Sequence, residues 1–202
     1  SLVPSITKIG HGGAVSKSAV RGLLARVNLV MAGQPLNDRS RLIEAKQWAK
    51  KVMEDTEANH GLNPSYSNIF VRLAADQYDI RESIWQVEFR GNLTDEYNET
   101  GYQGALNSVS TNVNSATGPA AGYLSTTAKL YNVYENGDLR KWFNIAHFRY
   151  VISNTNGEKT MVARATNERG KYSFYPSKFR REYEVLVPKA KSTPQNVSIL
   201  RY

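Results

Sequence analysis

The residues best suited to ligand chemistry lie in a long polar segment, residues 90–122. It combines planar amides with tyrosines, and the residues that we single out are Asn92, Tyr97, Asn98, Tyr102 and Gln103. An amide offers a donor and an acceptor to adjacent hydroxyl groups, and an aromatic face accepts the C–H surface of a sugar ring. The composition therefore predicts a saccharide-binding loop. A solvated loop that simply avoids apolar residues would have the same composition, and both interpretations stay open.

A second group of aromatic side chains lies in the basic, tyrosine-rich part of the chain after residue 166. Tyr172 and Tyr175 are the candidates in this part. A tyrosine ring is rigid and amphipathic, so it loses little conformational entropy when a sugar stacks on it. We therefore place both residues with the five of segment 90–122 as predicted ligand-binding residues.

Motifs for catalysis and for metal binding are absent from the sequence. The segment Gly10–Ser18 is superficially similar to a phosphate-binding loop, but Ser16 replaces the glycine before the lysine and no apolar strand precedes the segment. The histidines His11, His60 and His147 are scattered, with no carboxylate or second histidine at ligand spacing. With no cysteine in the chain, thiolate sites and disulfides are excluded. We predict no catalytic residue, no metal site and no cofactor.

Composition indicates an ordinary globular chain. Of its 202 residues, 41% are hydrophobic and 22% are charged, which is enough to build a core. No apolar run approaches the roughly 20 residues that span a bilayer. The net charge of +8 is concentrated in the last third, at Lys178, Arg180, Arg181, Lys189 and Lys191. A basic stripe could bind phosphate backbones. Because no nucleic-acid module accompanies it, we favour a solvated face.

Apolar periodicity predicts two helices near the start of the chain. The first begins after Ser16, whose hydroxyl can cap it, and ends at Gly33. Its apolar stripe consists of Val20, Leu23, Leu24, Val27, Val30 and Met31. The second helix is expected from about Asp38 to Ala58, with Trp48 on its inner stripe facing Leu23 and Val27. The short connection implies that the two helices pack antiparallel.

Small residues at the expected helix contact are typical of a tetratricopeptide-type hairpin. These residues are Gly22, Ala25, Ala45 and Ala49. One such hairpin cannot bury its apolar face alone, because these repeats are stabilised by their stacked neighbours. Residues 1–61 are therefore predicted to form one helical hairpin whose missing surface comes from elsewhere.

The chain changes character after Gly61. Alternation predicts a strand over Ser83–Phe89, with Trp85, Val87 and Phe89 on one face. Segment 90–122 has no period, and a short helix should follow a cap at Thr126 or Thr127 and end at Asn136–Gly137.

Two further strands, Phe143–Ser153 and Glu158–Thr166, are expected to form a hairpin around Asn156–Gly157. Residues 167–202 have a loop-like composition that closes on Val197–Tyr202. The predicted fold is mainly α, with a tetratricopeptide-like helical hairpin over 1–61. An irregular, loop-rich region with a small antiparallel β-sheet occupies 62–202.

Five stretches in their order along the chain resemble the SusD/RagB family of bacterial surface lipoproteins. They are Val15–Met31, Leu36–Met53, Glu82–Phe89, Leu130–Ile145 and Lys178–Tyr202. The resemblance implies a partial SusD-like fold in which this chain is a central fragment without the family's termini. It also implies that Trp85 and Trp142, which lie at scaffold positions, belong to the core.

The resemblance implies a non-catalytic function. Family members capture oligosaccharides at the outer-membrane surface of Bacteroidetes and pass them to a SusC-type TonB-dependent transporter. The expected partners are thus an oligosaccharide and that transporter, with membrane association only through a lipid anchor that this chain does not contain. Ligand-contacting residues of the family follow no fixed motif, so none is carried over. The alternative is a protein-interaction scaffold that docks the transporter without touching sugar, and nucleic-acid binding is a weaker third hypothesis.

Overall fold

The structure is a computed structural model that describes residues 2–89, 101–111, 117–152, 159–185 and 195–202. The chain folds into two compact units. Unit 1 comprises Ser1–Pro64, Tyr78–Val87 and Val197–Tyr202, and unit 2 comprises Ser65–Gln77 and Glu88–Asn196. The expected division into 1–61 and 62–202 stays a prediction. Among the described residues, no helix combines the length and the apolarity needed to cross a bilayer.

Unit 1 is built from helices and one strand pair. Its elements are α1 (Ile6–Ile9), α2 (Lys17–Met31), α3 (Arg41–Met53), β1 (Ser83–Val87) and β6 (Val197–Arg201). The predicted start of α2 is confirmed, because the Ser16 hydroxyl accepts a hydrogen bond from the Ala19 amide at 3.1 Å. Helix α1 is too short to produce an apolar period and was not predicted.

Helix α3 is shorter at both ends than the predicted Asp38–Ala58. Before it, the Asp38 carboxylate accepts from the Ser40 amide at 3.2 Å and forms a turn. Beyond Met53, the Ala58 amide donates to the Asp55 carboxylate at 3.1 Å instead of continuing the helix. These local side-chain bonds satisfy the backbone groups that a longer helix would have used.

The core of unit 1 lies where α2, α3 and β1 meet. Ala19, Val52 and Ile84 are buried there, and Trp85 and Leu200 pack against them. A Cβ added at Gly22 would collide with the end of the Leu200 side chain, so α2 approaches β6 closely at this glycine. Of the predicted apolar stripe of α2, Val27 and Val30 are exposed and the other four residues are half-buried.

The far end of α2 and parts of α3 present apolar side chains to solvent. The exposed residues are Val27, Leu29, Val30, Leu42, Ile43 and Met53. Trp48, predicted to face Val27, instead lines a cavity shared with Val20 and Leu24.

Strand β1 pairs antiparallel with β6, with register irregularities around Trp85. The predicted strand is confirmed, but the predicted inward face is wrong. Ile84 and Gln86 are buried, whereas Val87 is exposed. The pairing register shifts on both sides of Trp85, which interrupts the regular alternation of side chains along β1. The side chain of Trp85 is only partly covered.

Unit 2 consists of short elements. They are α4 (Asn68–Ala74), α5 (Gln103–Asn107), α6 (Ala128–Val133), α7 (Leu139–Asn144), β2 (Ile145–Ala146), β3 (Phe148–Ile152), β4 (Lys159–Ala163), α8 (Glu168–Lys171), β5 (Tyr175–Pro176) and a 3₁₀ turn (Arg181–Tyr183). Strand β2 pairs with β5, and β3 pairs with β4, both antiparallel. The predicted cap of α6 is confirmed at Thr127, which accepts from the Leu130 amide. The helix ends at Val133, before the predicted Asn136–Gly137.

The predicted hairpin is confirmed as β3–β4, and its turn at Asn156–Gly157 lies outside the described residues. Phe143 and Asn144, predicted as strand, belong to α7. Asp138 initiates that helix by accepting from the Arg140 amide at 2.9 Å. This cap starts a helix that the apolar composition of the segment does not indicate.

Candidate functional site

Helix α5 and residues 121–124 together form the best candidate for a ligand-binding surface. We call Tyr102, Gln103, Leu106 and Tyr123 the α5 surface. The Leu106 amide donates to the Tyr102 carbonyl at 2.8 Å, which places these two side chains one helical turn apart. The Tyr123 amide donates to the Leu106 carbonyl at 2.9 Å and so lies beside them.

The aromatic side chains of the α5 surface face solvent. Tyr102 is 59% exposed and Tyr123 is 75% exposed, while Leu106 is partly exposed between them. Gln103, the first residue of α5, is half-buried. Two aromatic rings with a neighbouring amide can stack on a sugar ring and hydrogen-bond its hydroxyl groups. The prediction that segment 90–122 lacks secondary structure is therefore wrong for residues 103–107.

A buried ion pair lies directly beneath α5. Arg181 and Glu184 are joined by three contacts of 3.0–3.2 Å, and each side chain is 1% exposed. Gln195 donates to the same carboxylate at 2.9 Å. A Cβ at Gly104 would collide with the Gln195 amide and lie 3.0 Å from a Glu184 oxygen. Only glycine lets α5 approach the ion pair this closely.

Arg181 also fixes the chain that follows α5. Its guanidinium donates to the Pro119 carbonyl at 2.7 Å, and the Thr111 and Ala120 backbones pair in a short bridge nearby. The Ala121 amide then donates to the Ala105 carbonyl at 2.7 Å. The interpretation of Arg181 as part of a solvated basic face is therefore wrong, because its side chain is 1% exposed and is paired with the Glu184 carboxylate and the Pro119 carbonyl.

The other predicted site residues divide among separate places. Tyr175 lies in β5 opposite Ala146, with its ring against Gly122, the residue before Tyr123. Tyr172 is exposed at the end of α8. The structure thus brings Tyr102 and Gln103 together, and it places Tyr175 close to the segment that carries Tyr123.

Three predicted site residues lie outside the described residues. They are Asn92, Tyr97 and Asn98. Lys189 and Lys191 of the basic run are also outside them.

Sequence reasoning missed Tyr123 and Leu106, and it misplaced Trp142. Tyr123 lies one residue beyond the predicted polar segment, after Gly122, whose φ of +65° forms a turn. That glycine was the feature of the sequence that could have indicated a turn before Tyr123.

Trp142 is 63% exposed, so its predicted core position is wrong. The adjacent Phe143 takes the inward position of α7 and packs on Tyr66 and Phe70.

Burial perturbs two titratable groups of unit 2. Burial raises the pKa of the Tyr150 phenol, and the hydrogen bond that this phenol donates to Glu182 raises it further. Burial lowers the pKa of His147, and the charge of Lys141 lowers it as well. Among the described residues, no three His, Cys, Asp or Glu side chains are grouped so that they could hold a metal ion.

Comparison with known proteins finds similarity to solved structures. No protein-family model and no curated protein matches this chain. A solved structure of a SusD homologue from Bacteroides thetaiotaomicron superposes with a TM-score of 0.70 at 19% identity over 99% of this chain. A SusD superfamily protein from Parabacteroides distasonis superposes with a TM-score of 0.65 at 25% identity over 95%. One from Bacteroides fragilis gives 0.57 at 16% over 96%.

The similarity covers nearly all of this chain but less than half of each solved structure. The matched shares of those chains are 41%, 38% and 39%. The chain thus spans about two-fifths of the length of the solved structures that it matches.

Proposed function

This chain has a SusD-like fold, and we propose that it contributes to a non-catalytic protein that captures oligosaccharides at a bacterial cell surface. The captured saccharide would pass to a SusC-type TonB-dependent transporter in the outer membrane. A lipid anchor elsewhere in the protein would hold it at that membrane. No metal or cofactor takes part in this function. The α2–α3 hairpin acts in it as one tetratricopeptide-like repeat of the scaffold.

The observation that carries this proposal is the superposition of almost the whole chain on SusD-like structures. A TM-score of 0.70 over 99% of the chain supports a SusD-like fold. The resemblance of five sequence stretches to the SusD/RagB family agrees with it.

The α5 surface supplies the binding chemistry in this proposal. Sugar rings stack on Tyr102 and Tyr123, and Gln103 pairs with an adjacent hydroxyl. The buried Arg181–Glu184 pair holds α5 in place before the ligand arrives, so little ordering is needed on binding. Neutral groups make the contacts, so affinity should depend little on salt.

Calorimetry of the protein against a panel of neutral and acidic oligosaccharides tests the proposal. We expect one member to bind, and the double variant Tyr102→Ala, Tyr123→Ala to weaken it about tenfold or more, as the loss of two stacking contacts implies. Tyr172→Ala is the comparison variant, since it removes an equally exposed tyrosine that follows α8 and was also predicted to bind ligand.

Two results would contradict the proposal. If no oligosaccharide binds the folded protein, the function is wrong. If Tyr172→Ala abolishes binding while the double variant binds normally, the saccharide contacts α8 and the α5 surface is not the site. Circular dichroism of each variant shows that the fold is intact.

Unit 1 favours a second candidate function, which is docking of the transporter without sugar contact. Its α2 and α3 expose Val30, Ile43 and Met53. An apolar groove of about 330 Å³, whose lining includes Ala25, Val52 and Leu200, lies in the same unit. Exposed apolar surfaces of this kind often mark protein contacts. Under this function, Val30→Glu should prevent association with the transporter and leave every saccharide affinity unchanged.

A further inference from the structure

A second aromatic surface of unit 2 surrounds Trp142 on α7. The indole is 63% exposed, although tryptophan is among the most apolar side chains available for burial. Its ring centroid lies 4.2 Å from that of His147, so one side of the indole rests on the imidazole. We call Trp142, His147, Tyr131 and Lys141 the Trp142 platform.

The base of the platform is rigid. The His147 ring lies 5.1 Å from Phe174, which is completely buried, and 5.3 Å from Tyr131. Tyr131 in turn contacts Phe174 at 5.6 Å between ring centroids. Nε2 of His147 is shielded from solvent. The exposed indole is therefore held from below by a packed aromatic layer, which reduces the entropy lost when a ligand stacks on it.

A positive charge lies over the Tyr131 ring of the platform. Nζ of Lys141 lies 3.9 Å from the centroid of the Tyr131 ring. Lys171 reaches the same ring at 5.1 Å, but its ammonium group is paired with Glu168 at 2.5 Å. Within the described parts of the chain, no carboxylate lies within ion-pair distance of Lys141. The uncompensated charge at the platform is thus the ammonium of Lys141, held in place by a cation–π contact.

The imidazole beneath the indole does not add to that charge. Burial and the nearby Lys141 ammonium both lower the pKa of His147, so the ring is neutral at pH 7. The platform therefore presents an apolar face beside a single fixed cation.

We propose that the Trp142 platform binds an anionic sugar unit, a uronic acid or a sulfated sugar, within a larger oligosaccharide. The C–H face of the sugar ring stacks on the exposed side of Trp142, and its carboxylate or sulfate group pairs with Lys141. This inference rests on the proposed saccharide-capture function and adds to it a subsite for an acidic sugar unit. A flat, outward-facing indole fits an extended saccharide chain, which needs no enclosing pocket.

The test compares ligands that differ only in charge. Oligogalacturonate is the carboxylate probe, and its methyl ester is the neutral probe with the same ring. A carrageenan oligosaccharide supplies sulfate without carboxylate. Affinities come from calorimetry at low salt, and quenching of tryptophan fluorescence, absent in Trp142→Phe, reports contact with the indole.

Three variants separate stacking from charge. Trp142→Ala should weaken the binding of the charged and the neutral probe alike, by about fivefold to tenfold. Lys141→Gln should weaken only the charged probes, by about fivefold at low salt. Lys129→Gln is the matched control, because it removes the same charge from α6 two residues before Tyr131, where the helix points it to another side.

The outcomes distinguish this inference from the proposed function. If neutral saccharides bind and the acidic probes bind no better, the inference is overturned while saccharide capture stands. Equal effects of Lys141→Gln and Lys129→Gln would show general charge attraction and would also overturn it. Quenching of Trp142 by uridine monophosphate but by no saccharide would assign the platform to nucleotides. Failure of every saccharide contradicts both proposals.

Discussion

The buried Arg181–Glu184 pair makes a specific prediction about the stability of unit 2. Arg181→Met leaves the Glu184 carboxylate buried with Gln195 as a remaining donor and leaves the Pro119 carbonyl without its 2.7 Å partner. Removing one partner of a buried ion pair costs about 3–5 kcal/mol, because an uncompensated charge stays in a low-dielectric site. We expect Arg181→Met to lower the free energy of unfolding by this amount.

A double-mutant cycle gives the sharper form of this prediction. Arg181→Met with Glu184→Leu removes both charges together, so the remaining cost is the unpaired Pro119 carbonyl and the loss of the bond from Gln195 to Glu184, while Gln195 still donates to the Phe179 carbonyl at 3.1 Å. A buried polar group left unpaired costs about 1–3 kcal/mol. The double variant should therefore lose clearly less than the sum of the two single variants, by at least about 2 kcal/mol.

Urea unfolding followed by circular dichroism measures the free energies, and hydrogen exchange of peptides from 101–111 and 117–123 locates the effect. Arg41→Met is the matched control, because Arg41 pairs with Asp38 and Glu44 at the surface. It should leave both readouts unchanged. The reasoning fails if the two single losses simply add in the double variant, or if Arg181→Met is as stable as Arg41→Met.

Three further predictions concern capping and titration. Ser16→Ala should lower the unfolding free energy by about 1 kcal/mol in urea unfolding, because it removes the cap of α2, whereas Ser40→Ala, which makes no cap bond to α3, should cost less. Because the pKa of His147 is lowered in the folded chain, the unfolded chain binds the proton more readily and stability should fall as pH drops below about 6.5. His147→Phe should flatten that dependence in urea titrations at different pH. Because the pKa of Tyr150 is raised, the folded chain keeps that proton and stability should fall above about pH 10. Absorbance at alkaline pH should show this phenol ionising only on unfolding, and early ionisation would contradict its burial with Glu182.

The sequence was most informative where structure is local. The hydroxyl of Ser16 and the apolar period after it determine where α2 begins, and both are visible within a few residues. The same holds for Thr127 at the start of α6 and for the β3–β4 hairpin. Caps and periodicities depend on neighbours in the chain, so one sequence is enough to recognise them.

The candidate surfaces were predicted only in part, because they depend on distant contacts. Helix α5 has five residues and no apolar stripe, and it packs at Gly104 against Glu184 and Gln195 from far along the chain. The outward position of Trp142 follows from the inward position of Phe143, which six residues of helix cannot reveal. Composition found Tyr102 and Gln103 but could not place Tyr123 beside them.

The pairing of β1 with β6 has an evolutionary consequence. Val87 and Val197 are direct partners, so the chain leaves one strand and returns to the other at the same point. Residues 88–196, which carry α5 and Trp142, thus form a long connection whose two ends lie side by side at this strand pair. The entropic contribution to the free energy of closing such a connection rises by only about 0.6 kcal/mol for each doubling of its length. Insertions and deletions within this part can therefore accumulate between lineages while the strand pair and its helices persist, so ligand preference can diversify faster than the scaffold.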